Sequence, residues 1–403
     1  MITYGEALNI IRREASRIRL ATEAVDLSSI SGRICANNIA SPLSVPPFDN
    51  TAMDGFAVRS GDFKGGSAVL KLKTRVTAGD TVKDLEIFSG ECCEIMTGAP
   101  LPRGADAIVP VEQTSKKGDL ISFSAVAQPG DHIRRAGSDF MRGVPIIERG
   151  SLLGVQHVLP LASLGIGKVE VYSKPKTAFI ATGREIIDRL DQKLEEGRIY
   201  NSNLPYALAF LAGAGAEVLP QATIPDNPVQ FQATVRKLVN EGVHLIVSSG
   251  AVSAGSHDFI RGSLEEMGAR ILFHKVAIKP GKPVLFAVLP GGTLYLGLPG
   301  NPVATAAGLR FFVQPLLLTL AHKPPERPFF ARAKTPLSRK PGLRLFLKAK
   351  IDVSSAGVLE ANLLDGQESY KTAPFLSMNG WAVIPEDRQS IDINDIIEVF
   401  YSS

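Results

Sequence analysis

Lys279 and Lys282 lie three positions apart in Lys-Pro-Gly-Lys-Pro, a short turn restricted by Pro280 and Pro283. Two ammonium groups held this way can converge on one doubly charged oxyanion, since lysine binds such anions as a point charge. Three other strings offer small residues and backbone N–H groups. Thr182 and Gly183 stand at a turn in Ala-Thr-Gly-Arg-Glu, residues 181–185. The run 248–258 places Ser248, Ser249, Gly250, Ser253 and Gly255 in a loop whose amides can surround an anion. Residues 297–303 read Gly-Leu-Pro-Gly-Asn-Pro-Val, holding Pro299, Gly300, Asn301 and Pro302. There Asn301 is placed to N-cap a helix with Pro302 at its first position, so free N–H groups and the positive dipole end face a crevice. Glu185, Asp226 and Asp258 add hard carboxylate oxygens suited to Mg²⁺ bridging a phosphate.

These strings need a scaffold that gathers them, and the rhythm from about Lys174 supplies one. Short apolar strands (TAFIATG, AEVLP, HLIVSSG, RILFHKV, VLFAVL, TLYLGLP) alternate with helices expected at about 203–213, 227–240, 259–267 and from Asn301. Nearly continuous apolar strands alternating with helices predict a parallel, doubly wound α/β sheet with helices on both faces. In such a sheet ligands sit beyond the carboxyl ends of the strands, where all these loops fall.

The flanking sequence has a different texture. A capping box, Thr3 with Glu6, opens a helix whose apolar residues Tyr4, Leu8, Ile11, Ala15 and Ile18 recur at helical spacing. From residue 41 to about 128, AVLKLKTRV, GECCEIMTG, ADAIVPVEQ and DLISFSAV predict a small β-rich unit. Residues 150–165 suggest a return to helix. Beyond Pro328, RLFLKAKIDV, GVLEANLL, GWAVIPE and DIIEVFY predict a small terminal barrel or sandwich. In the β-rich half, Asp49 and Asp54 share one stiff loop, and Cys92 and Cys93 read as strand packing residues. His157 and His274 have no neighbours at metal-ligand spacing.

Composition bounds the rest. The 403 residues imply about two to four domains. With 45% hydrophobic and 21% charged residues the chain is globular, not disordered. Lys plus Arg is 44 against 40 for Asp plus Glu, a net charge of +4, which argues against a dedicated nucleic-acid binder. Three cysteines, two of them adjacent, make no disulfide framework and point to a reducing compartment. The longest run weighed as a membrane segment, 152–167, is broken by Gln156, His157 and Pro160. The sequence also opens without a basic leader, so the expectation is a cytoplasmic protein with no membrane or nucleic-acid partner.

Taken in order, PPFDNTAMDGFAV (46–58), MTGAPLPRGADAIVPVE (96–112), RRAGSDF (134–140), TGRE, GRIYNSN (197–203), SSGAVSAG, KPGKP and GLPGNPV resemble the molybdopterin molybdenumtransferase family, which includes bacterial MoeA and the E domain of gephyrin. The resemblance covers essentially the whole chain. It implies four parts: an extended helical domain from residues 1–40 and 145–172, a β-rich insertion at 41–144, a molybdopterin-binding α/β domain at 173–325, and a β-barrel at 326–403. It implies insertion of molybdate into adenylylated molybdopterin with release of AMP, assisted by Mg²⁺. Carried over by motif, Asp54, Thr97 and Asp139 come from the β-rich half. Glu185, Asp226, Asp258, Lys279, Lys282, Pro299 and Pro302 come from the α/β domain, with Arg344 and Ser369 from the barrel. The lysines would hold molybdate, the three α/β carboxylates would organise Mg²⁺ and the adenylyl phosphate, and the glycine loop would cradle the pterin phosphate.

The same resemblance implies a homodimer whose site is shared between subunits, so that Asp54 and Thr97 act in trans. It implies a separate adenylyltransferase upstream and molybdoenzyme apoproteins or chaperones downstream. The chain departs from the family pattern at four places. Arg184 stands where an aspartate is usual, Ala251 where a glycine is, Ala304 where a serine is, and Leu343 where an arginine is, with Arg344 one place later. Two alternatives stay open on these residues: a diverged paralog that carries or scaffolds molybdopterin without turnover, and a tungstate-preferring insertase.

Overall fold

The strand Lys176–Ala181 reads Lys-Thr-Ala-Phe-Ile-Ala and is buried beyond its first residue. Such a strand needs cover on both faces, and it receives it. In the computed structural model, which describes residues 1–63, 65–219, 223–252 and 259–402, it lies within a six-stranded sheet. The spatial order is Glu217–Leu219, Lys176–Ala181, Leu245–Ser249, Leu294–Leu298, Leu285–Val288, Arg270–His274. The first four strands are parallel. The last two pairings are antiparallel, so that Leu285–Val288 alone runs against the other five strands, which corrects the expectation of a purely parallel sheet. Only Leu289 to Thr293 join Leu285–Val288 to Leu294–Leu298, far fewer residues than the dozen or so a parallel crossover needs.

Helices cover both faces, as a doubly wound sheet requires. On one side lie Pro228–Asn240 and Ile260–Glu266, the former capped by the Asn227 side chain on the Gln230 amide and burying Phe231, Val235 and Leu238. On the other lie Asn203–Gly213 and the long helical run Pro302–Leu320. That run is 19 residues long and mostly buried, as befits a core helix.

Its middle, Leu309–Val313, is a π-turn, and Pro315 follows. Pro315 has no N–H to give the Phe311 carbonyl four residues back. The Tyr4 hydroxyl donates to that carbonyl instead, at 3.0 Å. Tyr4 also packs edge-on against Phe312 and Phe346. The first helix, Tyr4–Ala15, with its Thr3–Glu6 capping box, therefore belongs to the α/β core. Residues 1–23 and 172–403 form one compact unit, and 24–171 a second.

The barrel in the first unit closes on itself. Arg344–Val353 pairs with Leu359–Leu363, then come Phe329–Ala333, Ile396–Tyr401 and Gly380–Ile384, which returns to Arg344–Val353. Residues Leu345, Leu347, Ala349 and Ile351 alternate into its interior. A two-residue strand, Ile278–Lys279, runs parallel beside Arg344 and Leu345, so the lysine turn is stitched to the barrel edge.

The second unit holds a six-stranded sheet in the order Ala107–Pro110, Gly55–Val58, Glu91–Ile95, Ala68–Val76, Leu120–Phe123, Thr114–Lys117. Cys92 and Cys93 face opposite sides of it and join separate cores. Burial pushes the Cys92 thiol up to about 12 and the Cys93 thiol to about 11, so both stay protonated packing groups. Residues Ile34, Cys35 and Ile39–Ala40 pair with Leu152, Val171 and Pro145–Ile147 around a smaller core. Helix in this unit, among the described residues, amounts to Val158–Ser163 and short 3₁₀ turns.

Candidate functional site

The parallel register decides where the loops begin. Ala181 sits beside Ser249, and Ser249 beside Leu298. The turns starting at Thr182, Gly250 and Pro299 therefore emerge side by side from one sheet edge. Thr182 donates its amide (3.0 Å) and hydroxyl (3.2 Å) to the Ser249 carbonyl, while the Gly250 amide donates to Leu298 at 3.1 Å. Gly250 has φ +96°, and a Cβ there would lie 2.6 Å from both Thr182 oxygens. Gly300 packs against Gly250 backbone to backbone. At Gly250 only glycine allows the turns to approach so closely.

Beyond this edge lies a crevice of about 1530 Å³ between the α/β sheet and the barrel. It is larger than the pocket a single drug-sized molecule needs. Of the residues expected at a site, it brings together Thr182, Gly183, Glu185, Asp226, Gly250, Lys279, Lys282, Pro299, Gly300, Asn301, Pro302 and Ser369. Both lysines are exposed, and neither makes an ion pair among the described residues. Two free cations facing a crevice can take an oxyanion. Glu185 folds over Gly183, whose added Cβ would meet both carboxylate oxygens at 3.0 Å. Glu185 and Asp226 are the crevice's expected carboxylates; Ser253, Gly255 and Asp258 lie outside the described residues. No group of three acidic, His or Cys side chains gathers as a metal cage among the described residues. Two carboxylates still suit Mg²⁺, which keeps several waters and takes its remaining ligands from substrate phosphates.

Several expected residues act elsewhere. Ser248 and Ser249 are buried in the sheet, Ser248 against the Tyr295 hydroxyl, so they support the lip from behind. Asn301 occupies the N-cap position but does not cap; its amide donates to Ser369 Oγ at 3.1 Å, and the Val303 amide donates to the Ser369 carbonyl at 3.0 Å. Arg344 does not line the crevice. Its guanidinium pairs with Glu386 at 3.1 Å and lies over the Tyr4 ring, while Leu343 faces the crevice. Alternation along the strand sends neighbouring side chains to opposite faces. Ala304 lines the crevice, and the adjacent Thr305 hydroxyl is committed to the Pro299 carbonyl at 2.7 Å.

Other groups carry weight that the motifs alone do not reveal. Asn203, buried, donates to the Gly300 carbonyl at 2.8 Å. Asn201 donates to Asp188 at 2.8 Å and accepts from the Leu204 amide, tying the 185–201 loop to the helix beneath the crevice. Burial raises the Asp188 pKa, but hydrogen bonds from Thr223 and Asn201 outweigh it and leave the carboxyl below its ordinary value. Both asparagines stand in the quoted GRIYNSN string, yet nothing in residue type distinguishes them from turn formers.

In the second unit, Asp54 accepts from the Thr97 amide and hydroxyl, both at 2.7 Å. These bonds hold the exposed carboxyl below the usual carboxylate range. Asp49 pairs with Arg135 at 2.6 Å and accepts from the Ala136 amide, clamping the 134–140 loop to the 46–54 loop. Asp139 is exposed, and no side-chain bond joins it to Asp54 or Thr97.

Comparison with known proteins shows the family. Residues 2–165 match the family described as MoeA N-terminal region (domain I and II), and residues 178–319 match the probable molybdopterin binding domain. Among curated proteins, the chain is 34% identical to the molybdopterin molybdenumtransferase of Synechococcus elongatus over 99% of both chains. It is 34% identical to that of Haemophilus influenzae over 94% of this chain and 93% of the other. Among solved structures, the molybdopterin biosynthesis MoeA protein from Pyrococcus horikosii superposes with a TM-score of 0.85 at 30% identity, over 100% of this chain and 99% of the other. The chain belongs to the molybdopterin molybdenumtransferase family.

Proposed function

We propose that this protein inserts molybdate into adenylylated molybdopterin and releases AMP. The observation that carries the reading is the crevice itself: three glycine-bearing turns opening side by side, with Lys279 and Lys282 on its wall and in no ion pair among the described residues. Its volume suits a substrate of dinucleotide size together with a small tetrahedral dianion. Lys279 and Lys282 hold molybdate near the dithiolene. Thr182, Gly183, Gly250 and Gly300 present backbone close to the phosphates, with Asn301 and Ser369 closing the barrel side. Glu185 and Asp226, with Asp258, would hold Mg²⁺, which would supply charge neutralisation at the phosphoanhydride of the substrate.

The four-part layout, with an extended helical domain and the boundaries given above, belongs to this proposal. So does a homodimer in which Asp54 and Thr97 serve the crevice of the other subunit, and the supply of substrate by a separate adenylyltransferase. Replacing both lysines with Ala should abolish molybdate binding in equilibrium dialysis; unchanged affinity would sink the assignment. Mixing an Asp54 variant with a Lys279 variant should restore activity in heterodimers, and failure to do so would refute the shared site.

The corner at Ala304 and Leu343 favours a second reading, a molybdopterin carrier without turnover. Thr305 cannot lend its hydroxyl there, and Arg344 is turned away.

A further inference from the structure

Lys348 is fully buried, yet its Nζ donates only to backbone carbonyls: Gly366 at 2.5 Å, Lys371 at 3.0 Å and Glu368 at 3.4 Å. It stands on the barrel strand Arg344–Val353, between Phe346 and Lys350 on the outer face, while its odd-numbered neighbours fill the barrel interior. A buried ammonium without a carboxylate partner costs free energy unless every proton finds an acceptor. For packing alone, methionine would fill the same space without that cost.

What the lysine organises is the loop 364–371. Around the same residue, the Gln367 side chain accepts from the Lys348 amide at 3.0 Å and donates to its carbonyl at 2.9 Å. The Leu364 amide donates to that carbonyl as well, at 3.0 Å. The loop is thus wrapped on one strand position from both the backbone and the side chain. Its opposite edge faces the crevice through Gln367, Glu368 and Ser369. Ser369 then reaches the start of the long helix, accepting from Asn301 through Oγ and from Val303 through its carbonyl.

We propose that Lys348 is a positioning residue, whose ammonium sets the shape of the 364–371 loop and so places Ser369 and Asn301 at the crevice wall. The ligand arm of its test rests on the function proposed above; the exchange arm does not. In the full-length Lys348→Met protein, hydrogen exchange at the amides of Leu364, Lys371 and Val303 should quicken by roughly ten-fold or more, as expected for losing three bonds to a charged donor. Exchange in the remaining barrel strands should stay as in the wild type. Molybdopterin affinity should weaken by about ten-fold, while Ser369→Ala added to Lys348→Met weakens it no further.

Unchanged exchange at those amides overturns the proposal, as does faster exchange spread evenly through the barrel. If the wild type itself fails to bind molybdopterin, the function fails while the exchange result still decides the role of Lys348. Should Lys348→Met not fold, Lys348→Gln, which retains a donor on a shorter arm, takes the same two readouts.

Discussion

Thr305→Val tests whether the crevice lip is built as described. Thr305 is wholly buried, and its hydroxyl donates to the Pro299 carbonyl at 2.7 Å. Valine has nearly the same shape, so the change opens no cavity. It leaves one buried carbonyl without a donor, which costs about 1–3 kcal/mol. For a unit of this size each kcal/mol lowers the melting temperature by about 2–4 °C. The assay is built into the molecule, since Trp381 is the only tryptophan and lies buried in the same core as Val303 and Ala306. Urea unfolding followed by Trp381 fluorescence should show an earlier midpoint with unchanged slope, and the melting temperature should fall by roughly 4–8 °C for a loss of 2 kcal/mol. An unchanged midpoint would refute the reasoning, because the hydroxyl would then be free to serve the crevice in place of the one missing at Ala304.

Three further outcomes follow from the same geometry. Tyr4→Phe should cost about 1–3 kcal/mol by the Trp381 assay, because the Phe311 carbonyl loses its donor and Pro315 has none to give; a neutral result would contradict that account. Ala251 has φ +49°, so Ala251→Gly should stabilise by about 1 kcal/mol, and a loss of stability would count against strain there. Thr97→Val, which keeps the backbone amide, should let the Asp54 pKa rise part of the way toward the ordinary aspartate range in an NMR titration, and an unmoved value would show that the Thr97 hydroxyl does not help to set it. The sign is fixed: a depressed folded pKa contributes stability above the unfolded value, and that contribution is lost as pH falls through the folded one.

The fold was legible wherever local pattern decides structure. The strands at 68–76 and 344–353 and the helix at 203–213 occupy the residues expected from alternation and periodicity. The crevice loops were legible too, because glycine, proline and asparagine at strand ends have few other uses. What stayed hidden depends on pairing between distant segments. The antiparallel edge of the α/β sheet is set by a short connection that reads equally well as a crossover end. Arg344 turns away because its strand pairs Leu345 with Lys279, a register no local pattern encodes. Asn301 looks like a cap, yet Ser369, 68 residues on, claims its side chain. Lys348 reads as one more exposed lysine on an alternating strand, and only the loop folded over it reveals its burial.

The central claim is turnover, and single-turnover conversion tests it most directly. Purified protein is mixed with adenylylated molybdopterin, Mg²⁺ and either molybdate or tungstate, and AMP release is followed together with metal on the dithiolene. The account predicts AMP release that depends on the oxyanion, with one metal incorporated per AMP, and the faster oxyanion names the preferred metal. Tight pterin binding with no AMP release under either oxyanion would contradict it and establish the carrier reading.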